Sequence, residues 1–174
     1  MRRPERLAAL ALLLAALHGP AAARPMPCTL VFGQARNLPE AGGPDWQALN
    51  EDFAAAVAAA LDGSGRRIVT MSLPNDRIDA RATGLALLQR ADESGCNTLI
   101  EATVFADVEQ ILVLRLRVYP LLPQLGGDGG IVGLRIGAPL FVSQRELALA
   151  TLPRLRPELL AAQMAGEYLQ HDRR

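Results

Sequence analysis

Apolar and polar positions alternate in short β runs, interrupted by two stretches of helical periodicity. Thr29–Phe32 (TLVF) reads as a strand, bounded by Pro27 and by the loop Asn37–Pro44, whose Pro39, Gly42 and Gly43 break regular structure. Asp45 is placed to cap a helix, because a carboxylate there can accept the free N–H groups of the first turn. Trp46, Leu49, Phe53, Val57, Ala60 and Leu61 then recur at helical spacing, and Gly63 fits the C-terminal end. Arg67–Leu73 (RIVTMSL) reads as a second strand, ended by Pro74. A second helix begins at Asp76 or Asp79, carries Ala82, Leu85, Leu88 and Ala91 on one face, and stops at Gly95. Thr98–Ala106 (TLIEATVFA) and Ile111–Tyr119 (ILVLRLRVY) are two further β runs, joined by a polar connection around Asp107–Gln110. Leu121–Gly130, rich in Pro and Gly, reads as a flexible stretch, followed by a fifth strand at Ile131–Ile136 that resumes at Leu140–Val142. Ser143–Glu146 (SQRE) matches a capping box. It predicts a short helix, a break at Pro153 and Pro157, and a main helix from about Pro157 to Leu169.

The order is therefore β-α-β-α-β-β-β-α, a mixed α/β class with a central five-stranded mixed sheet and helices on both faces. Right-handed crossovers make the first three strands parallel in spatial order 2-1-3, with the first two helices on opposite faces, and leave the last strands antiparallel. Strand register follows from parity. Leu112, Leu114, Leu116 and Val118 share one face of their run, and Ile100, Ala102, Val104 and Ala106 share one face of theirs. Matching these faces requires a hairpin loop of odd length, since a slip of one residue turns every side chain over. A loop centred on Val108 sets Glu101 opposite Arg115, and the other simple option is Arg117.

The N-terminus changes the picture of where this domain works. Arg2, Arg3 and Arg6 precede the apolar run Leu7–Leu17, and His18, Gly19 and Pro20 end it before Ala21, Ala22 and Ala23. This is the layout of a cleavable secretory signal. The run is about half the ~20 apolar residues that a spanning helix needs. Residues 1–23 are accordingly read as a signal peptide and 24–174 as one α/β domain, periplasmic or secreted, touching the membrane only through the signal before cleavage. All 18 basic residues of the chain are arginine, and cleavage leaves 15 of them against 17 acids. A net negative charge and few aromatics argue against nucleic-acid binding.

Two cysteines, Cys28 and Cys96, stand just before the first and third β runs. In an oxidising compartment an even count favours pairing. Parallel neighbouring strands about 4.8 Å apart bring such positions within disulfide reach. The alternatives are two reduced cysteines, or lipidation of Cys28, whose preceding Pro25, Met26 and Pro27 make a poor lipobox.

Other chemistry is sparse. His171, near the C-terminus, is the one histidine beyond the signal, so a Ser-His-Asp or Cys-His arrangement has no base to use and no catalytic residue is named. Ser64 lies between Gly63 and Gly65 without the frame of a nucleophile elbow, and Gly126–Gly130 (GGDGG) lacks the Lys and Ser/Thr of a phosphate loop. Two cysteines this far apart lack zinc-ligand spacing, so neither a metal nor a cofactor is implied. Glu101 is the one acid embedded in an apolar strand. It is read as a structural ion pair with Arg115, and otherwise as the acid of a small hydrolase or ligand-binding site.

Leu88–Ile100 (LQRADESGCNTLI), followed by Ile111–Tyr119, resembles a group of envelope modules: the amino-terminal domain of TolB, the curli-secretion lipoprotein CsgG and the flagellar protein FlgO. The element order of nearly the whole mature chain is similar to theirs, and the likeness is specific over about 35 residues. Glu101 departs from the small residue common at that place in the group. The resemblance implies a non-enzymatic module that binds an envelope protein in the periplasm.

Overall fold

The computed structural model describes residues 26–73 and 79–173, so the signal peptide and the candidate cap Asp76 lie outside the described residues. Strand β1 (Cys28–Gly33) leads to helix α1 (Trp46–Leu61), strand β2 (Arg67–Ser72) and helix α2 (Ala80–Glu93). Strands β3 (Thr98–Ala106), β4 (Ile111–Leu125), β5 (Ile131–Ile136) and β6 (Phe141–Ala148) follow. A 3-10 turn at Leu149–Arg154 precedes helix α3 (Pro157–Asp172). The sheet order is β2-β1-β3-β4-β5, with β6 also paired to β4. The strands β1, β2 and β3 are parallel and the rest are antiparallel.

Both predicted helix starts are capped as expected. The Asp45 carboxylate accepts from the Ala48 N–H, and Asp79 accepts from Arg81 and Ala82. One face of the sheet packs against α1 and α3, through Phe53, Val57, Leu61, Met164 and Ala165 on the helices and Val31, Ile100, Val104, Leu114 and Leu116 on the strands. The other face packs against α2, through Leu87 and Ala91 on Leu30, Phe32, Leu99 and Leu121. The apolar stripe of α2 is rotated from the one expected: Leu87 is buried, Leu88 is partly buried and Leu85 is 60 % exposed. The fully buried positions of this helix, Leu87 and Ala91, are confined to its second half.

Where proline suggested a loop at Leu121–Gly130, β4 continues through Pro120 and Pro123 to Leu125. Proline removes a backbone donor, and both residues stand where none is needed. Pro120 presents its carbonyl to Gly137 at the irregular stretch between β5 and β6. Pro123 turns its missing N–H toward an edge that β3 has not yet reached, since β3 begins opposite Pro120. The sixth strand replaces the capping box expected at Ser143–Glu146. In β6, Ser143 pairs with Leu116 and turns inward, where its hydroxyl donates to Glu167 of α3 at 2.8 Å. Alternation over Phe141–Leu147 outweighs the cap motif, because β4 offers eight residues of open edge to pair with. The helical end takes the expected form, a short turn and then a helix from Pro157.

Strand β3 outruns β1, which pairs only with Thr98–Glu101. Beyond that point two asparagine side chains take the place of a strand. The buried Asn50 of α1 accepts the Val104 N–H and donates to the Val104 carbonyl, both at 2.8 Å, while also donating to Trp46 O at 2.8 Å. Asn37 repeats the pattern at Ala106, with both bonds at 2.9 Å. A Cβ on Gly33 would come within 2.5 Å of the Asn50 carbonyl oxygen, so only glycine at the end of β1 lets α1 approach closely enough. Replacing Asn50 by Ala leaves the Val104 N–H and C=O buried without partners. Each such group costs about 1–3 kcal/mol, so Asn50→Ala should lower unfolding free energy by about 3 kcal/mol in urea denaturation. A loss no larger than that of an exposed helix position would contradict this role.

Candidate functional site

The cysteines meet as the topology requires. Cys28 and Cys96 form a disulfide with a Cα separation of 4.2 Å across the starts of β1 and β3, and the Asn97 N–H donates to the Cys28 carbonyl beside it. The bond closes a loop of 68 residues. Such a closure stabilises by about 4 kcal/mol in the chain-entropy model. No helix among the described residues is long and apolar enough to cross a membrane.

Helix α2 covers only the end of its sheet face that holds the disulfide. Further along that face stand Glu101, Thr103 and Phe105 of β3, Arg115, Arg117 and Tyr119 of β4, and Gln144 of β6. Their placement follows from the β3–β4 turn. The Asp107 carboxylate accepts from the Glu109 N–H at 3.0 Å and from the Ile111 N–H at 2.8 Å. The Asp107 N–H donates to the Ile111 carbonyl, and Gln110 takes a left-handed φ of 60°. These bonds enclose a loop of three residues, Val108–Gln110, centred on Glu109. Its odd length keeps apolar faces matched, as parity requires. Its centre, one residue later than Val108, sets Glu101 opposite Arg117 and Thr103 opposite Arg115.

The ion pair therefore differs from the Glu101–Arg115 expectation. Glu101 is bonded by Arg36, which reaches over from the loop after β1, at 2.8 Å, and lies 3.6 Å from Arg117. The Tyr119 hydroxyl donates to its other oxygen at 3.0 Å. Arg36, which carried no signal in the sequence pattern, is the residue missed. Arg115 instead donates through Nε to the neutral amide oxygen of Gln144 at 2.8 Å and lies over the Phe105 ring at 4.9 Å. The Arg36 guanidinium is 5.1 Å from the same ring. Cation–π contact of this kind contributes about 0.5–1 kcal/mol at exposed sites. Burial, and then the charges of Arg117 and Arg36, hold the Arg115 guanidinium below its ordinary pKa. The Arg117 guanidinium is raised, first by its hydrogen bond with Tyr119.

The Asp128 carboxylate of the Gly126–Gly130 segment accepts from the Gly130 N–H, closing the β4–β5 turn. His171 lies within α3, exposed, with its ring 5.5 Å from that of Phe141, so the helix runs past Leu169, where it was expected to end. Two of the clefts among the described residues lie elsewhere. One, of about 170 Å³, is lined by Gly33, Glu51, Met71 and Ser72; the other, of about 590 Å³, lies open between Pro44 and Leu149–Pro153. Glu101 lines neither. In the first, the Ser72 hydroxyl and then the Gln47 amide donate to Glu51 and hold its carboxyl below the usual range.

Both tyrosines of the chain, Tyr119 and Tyr168, are raised above the ordinary phenol value, in each case first by burial. A raised folded-state pKa means that the folded chain holds the proton more tightly. The associated stability is complete below the unfolded value of about 10 and is lost as pH rises through the folded one. Ultraviolet titration of phenolate should therefore show neither tyrosine ionising at pH 10 as fully as in the urea-unfolded chain, with stability falling only above that pH. Superimposable folded and unfolded titrations would contradict the burial of both rings.

No protein-family model matches the chain, and no curated protein matches it.

Proposed function

We propose that this chain is an exported protein-interaction module of a bacterial cell-envelope assembly, acting in the periplasm without catalysis. The observation that carries this reading is the arm formed by the end of β4 and β5. It projects past the start of β3 and leaves Leu125, Ile131 and Val132 exposed at 64 %, 70 % and 64 %. Further along the same edge, Leu140 and Val142 are also exposed. Apolar side chains grouped on a projecting hairpin gain free energy when another surface covers them. The disulfide belongs to an oxidising compartment, and residues 1–23 have the layout of the signal that would deliver the chain there. The acid on which a hydrolase or ligand-binding alternative would depend, Glu101, is engaged by two guanidinium groups and a phenol on an open sheet face. That environment favours recognition over acid–base chemistry.

The test is crosslinking in intact envelopes of cells that export the full chain, with and without Ile131→Asp and Val132→Asp. Both positions are exposed, so the doubly substituted protein should keep its melting temperature. It should lose the discrete crosslinked species of the wild type. Identical crosslinking patterns, or no discrete species from the wild type, would overturn the reading.

A further inference from the structure

Among the described residues, every carboxylate on the open sheet face is engaged, and Arg115 pairs with none of them. Glu101 takes Arg36, Arg117 and the Tyr119 hydroxyl. Glu146, at the β6 edge, accepts from the Gln144 amide at 2.6 Å. Arg115 is half-buried between β3 and β6, and among the described residues it forms no ion pair. Its one hydrogen bond, through Nε, goes to a neutral amide, so both Nη groups are unused. Directly across the strand pair, the Thr103 hydroxyl is buried with no hydrogen-bond partner. A guanidinium in this position presents two parallel N–H donors, the geometry that matches a carboxylate. The flanking charges of Arg36 and Arg117 add long-range attraction for an anion, and Phe105 holds the Arg115 plane in place.

We infer that Arg115 is the anchor of a docking surface for a carboxylate-bearing protein segment laid across the open half of the sheet. This inference rests on the protein-binding reading and names the chemistry of the partner. A macromolecular segment fits better than a small anion because Arg36, Arg115, Arg117 and Val142 spread over two strands and a loop of open surface rather than around a cavity. The charge surplus at Arg115 selects acidic side chains, and exposed Val142 beside Arg117 supplies apolar contact at the rim.

The probe is fluorescein-labelled poly-L-glutamate, its binding to the exported, disulfide-bonded chain followed by fluorescence anisotropy. Wild type should bind in a salt-sensitive manner, and Arg115→Gln should weaken binding about tenfold, as loss of a charged interface anchor does. Arg145→Gln, which alters an arginine paired with Glu167 beside α3, should leave the affinity unchanged. Gln144→Glu should weaken binding to a similar extent, because it places a carboxylate against Arg115 without removing the arginine, which guards against a folding artefact in the first variant. Equal losses in Arg115→Gln and Arg145→Gln, or no wild-type binding, would overturn the inference. Retention by phosphatidylglycerol vesicles but not by poly-L-glutamate would overturn it in favour of a lipid surface. Envelope crosslinks that survive Arg115→Gln but not Val132→Asp would leave the protein-binding reading standing and overturn this face as its site. Arg115-dependent poly-L-glutamate binding without any envelope crosslinks would do the reverse.

Discussion

Two hydrogen bonds that the Asp107 carboxylate accepts, from the Glu109 and Ile111 N–H groups, set the centre of the β3–β4 turn and with it the partner of every side chain on those two strands. The core does not decide the matter. Moving the turn centre by one residue shifts the pairing by two, which keeps Leu112, Leu114, Leu116 and Val118 on the buried face in either register. The charged pair does not decide it either. A cross-strand ion pair contributes about 0.2–1 kcal/mol, and each register offers Glu101 one arginine opposite. A turn bond contributes about 0.5–1.5 kcal/mol, and Asp107 makes two of them in one register only. The turn therefore chooses Arg117 for Glu101 and leaves Arg115 without an acid.

The same strand, β3, is held at both ends by devices outside ordinary pairing. At its start, the Cys28–Cys96 disulfide fastens it to β1. Toward its end, where β1 has stopped, Asn50 and Asn37 close the open edge with two hydrogen bonds each to the β3 backbone. An unpaired edge invites pairing with foreign chains. Closing it with amide side chains lets the chain leave β1 at Gly33 and send Arg36 over the open face to Glu101. Edge closure and charge arrangement are thus two consequences of where β1 ends.

Much of the architecture was legible because it rests on periodicity and on local caps. Asp45 and Asp79 cap the helices they were assigned to, Gly63 and Gly95 lie just past helix ends, and the strand order 2-1-3 follows from short right-handed crossovers. The misreadings share one cause, a local signal outweighed by a distant partner. Leu121–Gly130 reads as a loop because the lost donor of Pro123 is harmless only given where β3 begins. The SQRE motif at Ser143–Glu146 reads as a cap because the open edge of β4 lies some 30 residues back in the sequence. Leu85 reads as core because nothing in the periodicity of α2 says how far the sheet beneath it extends. At the candidate site, the presence of Glu101 among arginines was legible and its partner was not. Register depends on the Asp107 turn, and Arg36 enters from a loop whose path no local pattern encodes.

A double-mutant cycle tests the register most directly, with Glu101→Gln combined in turn with Arg117→Gln and Arg115→Gln and stability read by urea denaturation at low salt. The register set by Asp107 predicts a coupling of about 0.5–1 kcal/mol between Glu101 and Arg117 and additive behaviour of Glu101 with Arg115. A substantial coupling of Glu101 to Arg115, with Arg117 additive, would contradict it.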